Sequence, residues 1–319
     1  FLLSIFKIRE WIINSIPLAL RAGIAAGIGL FLAIIALKNA GIVVDHPATL
    51  VGLGDMSKGG ALLACLGFFV IAALAYRKVT GAVMIGILLV TGLSIALGLS
   101  ELPGVISMPP SLMPTLLQLD IAGALDIGLI SVIFAFLFVD LFDTSGTLVG
   151  VAQKADLLDK DGKMPRLGQA LLADSTATMA GAALGTSTTT SYIESAAGIS
   201  AGGRTGLTAC VVAALFLLSL FFAPLAGSVP AYATAPALLF VAVLMMSSLA
   251  QIDWDDLTVA APVVVAALAM PLTFSIANGI AFGFIAWTGI KLLSGRAREL
   301  NAAMWVLSAL FIVKLAYFA

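Results

Sequence analysis

Charged side chains are scarce in this sequence: 10% of its 319 residues are Asp, Glu, Lys or Arg, 61% are hydrophobic, and the mean hydropathy is +1.14. An average soluble domain carries roughly 25% charged residues, so a water-soluble globule is excluded and a polytopic membrane protein is implied. Histidine is nearly missing. The single one, His46, stands in a polar loop beside Pro47, which leaves no basis for a His-dependent triad or a His-based metal site. Cysteine is limited to Cys65 and Cys210, both within apolar runs, where small buried thiols are expected and a disulfide or metal site is not. A net charge of -1 provides no electrostatic footprint for nucleic acid. Neither a Ser/Lys arrangement nor a paired GxGD-like one is present, so an enzyme is not expected, and neither is a cofactor. The chain opens on Phe1, and residues 1–6 resemble the tail of a span without its beginning, so an N-terminal truncation is expected.

What the sequence has in quantity is long apolar runs. A span needs about 20 mostly apolar residues. On that measure the spans are Pro17 to Leu37, Gly59 to Tyr76, Gly81 to Ser100, Ile127 to Thr147 and Leu167 to Leu184. Thr205 to Ile252 is free of charge and long enough for two spans, with the turn at Pro224 to Pro230. Leu257 to Ile290 is also uncharged, and two helices are expected to meet near Pro271 to Asn278. A last apolar segment, Ala302 to Tyr317, either spans or lies in the interface. Short cytoplasmic loops are enriched in Lys and Arg. Lys7/Arg9, Arg77/Lys78, Lys154 to Arg166, Arg204 and Arg296/Arg298 fall on one side if every segment crosses once. The loop Gln251 to Asp256, with Asp253, Asp255 and Asp256, is an acidic exception on that same side.

Carboxylates in four places break the apolar pattern: Asp140, Asp143, Asp174 and Glu194. An acid at a helix centre costs about 2.5 to 3.5 kcal/mol on insertion scales, so such residues usually face a cavity on a substrate or proton path. Asp140 and Asp143 share a helical face with Thr147, and no Lys or Arg lies near them in sequence. Asp174 sits nearer the start of its helix, where capping is the plainer role. Glu194 follows the hydroxyl-rich run Thr186 to Tyr192 and precedes a segment, Ser195 to Gly198, fit only for a short helix. Such a broken element persists at membrane depth only where protein or a water-filled cavity surrounds it.

The segments FVDLFDTSGTLVGVAQKADLLDKDGKMPR, LLADSTATMAGAALGTSTTTSYIESAAGISAGGRTGLTA and VPAYATAPALLFVAVLMMSSLAQIDWDDLT resemble the AzgA-type purine permeases, a branch of the nucleobase:cation symporter-2 (nucleobase–ascorbate transporter) superfamily. The resemblance implies an all-α polytopic membrane fold of two inverted repeats of seven segments, split into core and gate domains, with substrate between two broken helices. It implies that the first three segments are missing. Residues 1–100 would hold the end of segment 4 and gate segments 5–7, residues 101–228 core segments 8–11, and residues 229–319 gate segments 12–14. A short strand and broken half-helix are expected at about residues 186–198. By motif, Asp143 and Glu194 would contact the base together with Thr147, Thr190, Ser191 and Tyr192, and Glu194, Asp143 and Asp140 would carry the coupling proton. The implied function is proton-coupled import of a purine across the cell membrane, adenine favoured over guanine or hypoxanthine. Na⁺ coupling, another nucleobase such as uracil or xanthine, a SulP-like anion carrier on the same fold, and a homodimer remain open alternatives.

Overall fold

The computed structural model describes residues 1–101, 104–124, 133, 136–137, 140, 144, 147–148, 151–152, 155, 157, 159, 164–192, 195–200 and 202–317. Among these the chain is overwhelmingly helical. Its main helices are α1 (Leu2–Ile5), α2 (Ile8–Ser15), α3 (Leu18–Asn39), α4 (Gly59–Tyr76), α5 (Ala82–Ala96), α6 (Leu167–Leu184), α7 (Ser195–Ser200), α8 (Gly206–Ser219), α9 (Ala231–Met246), α10 (Leu257–Leu272), α11 (Ile276–Leu293) and α12 (Ala302–Tyr317). Five described helical stretches are long and apolar enough to cross a membrane: Leu18–Asn39, Gly59–Tyr76, Gly206–Gly227, Ala231–Gln251 and Ile276–Leu293. The bounds expected for α4 and α6 match, and the break between α10 and α11 falls at Thr273 to Ser275, inside the expected window. Ser275 re-starts the chain there by accepting a bond from the Asn278 amide at 3.3 Å, as an N-cap serine should.

Helix ends follow local chemistry. Pro17 disfavours helix at Ile16, so α2 stops at Ser15 and α3 begins afresh at Leu18. The orphan carbonyls left by that break are not wasted. Arg21 Nε donates to Ile16 O at 3.0 Å, and Asn301 Nδ2 donates to Ser15 O at 2.6 Å.

The chain divides into two compact units. One comprises Phe1–Gly27, Ser111–Thr208 and Leu249–Ala319. Its closest packing is the α10–α11 hairpin, where Gly279 and Gly283 of α11 face Ala266 and Met270 of α10. This is the small-residue spacing that lets membrane helices approach backbone to backbone. A Cβ on Gly279 would overlap Met270 Cγ and stand 2.9 Å from Ala266 O. Neither neighbour can move without shifting α10, so Gly279→Ala is expected to destabilise the protein by about 1–3 kcal/mol, as overpacking does. Thermal unfolding in detergent checks this. A melting temperature equal to wild type would mean that the helices separate freely.

The same unit resolves the acidic loop. Asp256 caps α10 by accepting from the Thr258 amide at 2.9 Å and the Thr258 hydroxyl at 2.6 Å. Arg296 Nη1 donates to its other oxygen at 2.6 Å. Those bonds, Thr258's first, hold the Asp256 carboxyl well below the usual carboxylate range. Buried Lys291 donates to Glu299 Oε2 at 2.8 Å and stands 4.0 Å from Asp256 Oδ2. The departure from the basic-loop pattern is thus matched by basic residues that fold back onto it.

The second unit comprises Ile28–Pro110 and Ala209–Ser248. Here α4, α5 and α9 pack together, with Gly67 of α4 closing on Val90 and Pro236. The Tyr232 hydroxyl is bonded to Ser94, which also bonds Ser100 at 2.8 Å. The loop expected at residues 41–56 contains an antiparallel hairpin, β1 (Val43–His46) with β2 (Leu50–Leu53), Val43 opposite Leu53 and His46 opposite Leu50. His46 has a turn role: its Nδ1 accepts from the Thr49 amide at 3.3 Å.

Candidate functional site

α6 is the polar helix of the first unit. It equals α4 in length but is less apolar, carrying Asp174, Ser175, Thr176 and Thr178. Leu171, Asp174, Ser175, Thr178, Gly181 and Gly185 recur every three or four residues and so lie along one face. That face performs two tasks.

Its first half binds a buried cation. Arg9, on the short helix α2, is 2% exposed. Its Nη2 lies 3.1 Å from Asp140 Oδ2 and 3.4 Å from Asp174 Oδ2, and its Nη1 donates to Ser175 Oγ at 2.8 Å. Ser175 Oγ also pairs with Ser4 Oγ at 2.8 Å and lies 2.7 Å from Leu171 O. Thr144, fully buried, directs its hydroxyl to Asp174 at 3.4 Å. This corrects three expectations. Arg9 is not an exposed loop cation: it is buried on α2. Asp174 is not a cap, since it lies two turns inside a helix whose N-cap is Arg166. The carboxylate of Asp140 is not left without a cation, because α2 carries one in from 131 positions away. The unneutralised acid proposed for proton carriage is therefore not found at Asp140.

Its second half holds the hydroxyl-rich segment. α6 ends at Gly185 in the left-handed conformation, φ 86°, with Thr186 N–H closing back on Gly181 O at 2.9 Å. Only glycine adopts that conformation without strain. The loop at residues 111–120 adds two bonds at the same end: Leu117 N–H to Ala183 O at 2.8 Å and Thr115 Oγ1 to Leu184 O at 3.0 Å. From there residues 186–192 run with neither helix nor strand, and α7 starts at Ser195. The short strand expected here is not formed. A strand exists only as a ladder, and no described residue pairs with this segment. The short helix expected at Ser195 to Gly198 is present and runs Ser195–Ser200. Thr178 Oγ1 donates to Thr189 O at 2.8 Å, and Gly181 leaves room for the Thr186 and Thr189 hydroxyls.

Of the residues assigned to the site by motif, Thr190, Ser191 and Tyr192 lie in this segment. Thr190 is half-buried with its hydroxyl 3.3 Å from Ser191 O, and Tyr192 is exposed. Thr147 is buried. Asp143 and Glu194 lie outside the described residues. Sequence reasoning missed Arg9, Thr144 and Ser175. The available signal was the pair of intramembrane acids itself, since buried acids need a cation, and Arg9 lies in an apolar stretch, IREWIIN, unlike an ordinary loop.

A family model described as the permease family matches residues 1–282. A putative permease of Methanocaldococcus jannaschii is 52% identical over 317 residues, 99% of this chain and 73% of that protein. The adenine permease AdeP of Escherichia coli is 49% identical over 316 residues, 99% and 71% of the two chains. The guanine/hypoxanthine permease PbuG of Bacillus subtilis is 44% identical over 319 residues, 99% and 72%. With similarity along nearly its whole length to proteins of this one kind, the chain belongs to the permease family of nucleobase–ascorbate transporters, and is a multi-pass transporter of the cell membrane and not an enzyme.

Proposed function

We propose that this permease imports purine nucleobases, adenine foremost, by proton symport. The carrying observation is the ranking of its named relatives: adenine permeases AdeP and AdeQ at 49% and 48% identity, against 44% and 42% for the guanine/hypoxanthine permeases PbuG and PbuO. The chemistry agrees. A purine is a flat ring edged with N–H donors and nitrogen acceptors. A hydroxyl-rich segment with no ladder or helix of its own, together with the Asp143 and Glu194 carboxylates, complements that edge. In this proposal Asp143, Glu194, Thr147, Thr190, Ser191 and Tyr192 contact the base, with Glu194 and Asp143 carrying the proton. The assignment of residues 1–100, 101–228 and 229–319 to gate, core and gate belongs to the same proposal.

An anion carrier would need a positive site. Arg9 is a buried cation, but Asp140 and Asp174 already neutralise it, so it does not favour that alternative. Uptake into proteoliposomes of labelled adenine, hypoxanthine, uracil and sulfate tests the substrate. Adenine accumulation competed by hypoxanthine and not by sulfate is expected, and sulfate uptake without purine uptake would overturn the proposal.

Coupling has its own test. A buried acid with raised proton affinity can load and release a proton in the physiological range. Adenine uptake should rise as external pH falls, collapse with a protonophore, and ignore replacement of Na⁺ by choline. Uptake that survives the protonophore and dies in choline would reassign the driving ion to Na⁺.

A further inference from the structure

The geometry points to Thr178 as a positioning residue that sets the substrate affinity of the 186–192 segment from behind. This inference rests on the proposal that Thr190, Ser191 and Tyr192 contact the base. The segment has no ladder and no helical bonds of its own, so its shape must come from what it leans on. Four observations locate that support on α6. Thr178 Oγ1 donates to Thr189 O at 2.8 Å, next to the first contact residue. Gly181, one turn on, is buried beneath the segment, and a Cβ there would stand 2.7 Å from Thr189 Oγ1 and 2.9 Å from Thr186 Oγ1. The turn at Gly185 fixes where the segment leaves the helix. Below Thr178 the same face is locked by Arg9 through Asp174 and Ser175, so the helix carrying the hydroxyl has its own anchor.

The consequence concerns which atoms remain available. Carbonyls and amides in an unladdered segment can present themselves to a ligand only if the backbone is held at one rotation per residue. A bond to Thr189 O uses that carbonyl for support and restricts the backbone rotation of the residues that follow it. Without the bond the segment samples other rotations, and binding must select the competent one. The apparent dissociation constant rises by the inverse of the competent fraction, while the rate at saturation, which depends on the acids, is little changed.

The test uses the intact transporter in proteoliposomes. Wild-type uptake is measured first over the nucleobase set, which tests the purine proposal by itself. Whichever nucleobase wild type accumulates is the probe for the variants. Thr178→Val keeps the shape and loses the donor, and the expected result is a KM raised about three- to tenfold, the range for one side-chain hydrogen bond, with maximal rate and melting temperature near wild type. Thr178→Ser restores the donor and should restore the KM. A wild-type KM in Thr178→Val, or equal impairment of the Val and Ser variants, would overturn the inference. If Thr178→Val does not reach the membrane, Gly181→Ala tests the same contact from the helix side. A raised KM there supports the positioning role, and an unchanged one removes it.

Discussion

Glu194→Gln is expected to abolish accumulation of purine while leaving the protein in the membrane and able to exchange purine for purine. Glutamine keeps the size of the side chain and resembles a carboxyl that never gives up its proton. A symporter must return empty with the acid in the other protonation state, and a permanently neutral residue cannot take that step. Exchange needs only the loaded carrier, so it should survive. Because the proposed site also has this carboxylate bonding the base, affinity should fall as well, by about 1.5–3 kcal/mol for a charged hydrogen bond, or roughly ten- to hundredfold. The measurement is uptake of labelled adenine into vesicles with and without an imposed proton gradient, beside counterflow in vesicles preloaded with adenine. Concentrative uptake at the wild-type rate would remove Glu194 from the coupling mechanism.

The second large effect falls on folding. Arg9→Met should cost about 3–5 kcal/mol of stability, because removing one partner of a buried ion pair leaves uncompensated charge behind. Here two carboxylates are stranded, Asp140 at 3.1 Å and Asp174 at 3.4 Å, and Ser175 loses the 2.8 Å bond to Nη1. The triple variant Arg9→Met, Asp140→Asn, Asp174→Asn removes all three charges together and should recover much of the loss, since a buried pair replaced as a whole is often near neutral. Melting in detergent and the amount of protein in the membrane are the readouts. Arg9→Met melting like wild type would mean that the triad contributes nothing to the packing of α2 on α6. A triple variant no better than the single one would assign the loss to the shape of arginine and not to its charge.

Reading along the chain finds what is local to a stretch and stops at what packing brings together. Glu194 drew notice as a local anomaly, an acid after a run of hydroxyls where lipid-facing sequence belongs; it lies outside the described residues, and its role stays a proposal. Spans such as Gly59–Tyr76 and the pair Gly206–Gly227 and Ala231–Gln251 were legible in the same local way. An apolar run such as Gly59–Tyr76 must be about as long as the hydrocarbon is thick, and Thr273 to Ser275 interrupts a charge-free stretch with a cap that needs no distant partner. The hairpin at residues 43–53 was not legible. Its strands are four residues each and largely exposed, so they lack the alternation that marks a strand with one face in a core.

Arg9 was read as one more inside-facing base because its own neighbourhood holds nothing to contradict that. Its partners lie 131 and 165 positions away. Asp256 was read as an exception for the same reason, with Arg296 standing 40 positions off. The sequence by itself determined that this protein lives in a membrane, how many residues its helices span, and where an acid breaks into an apolar stretch, because lipid and hydropathy act on each stretch separately. Only the tertiary structure decided which acids are neutralised and which helix supports the unladdered segment. An ion pair or a 2.8 Å hydrogen bond forms between side chains that packing brings together, and distance along the chain carries no record of it.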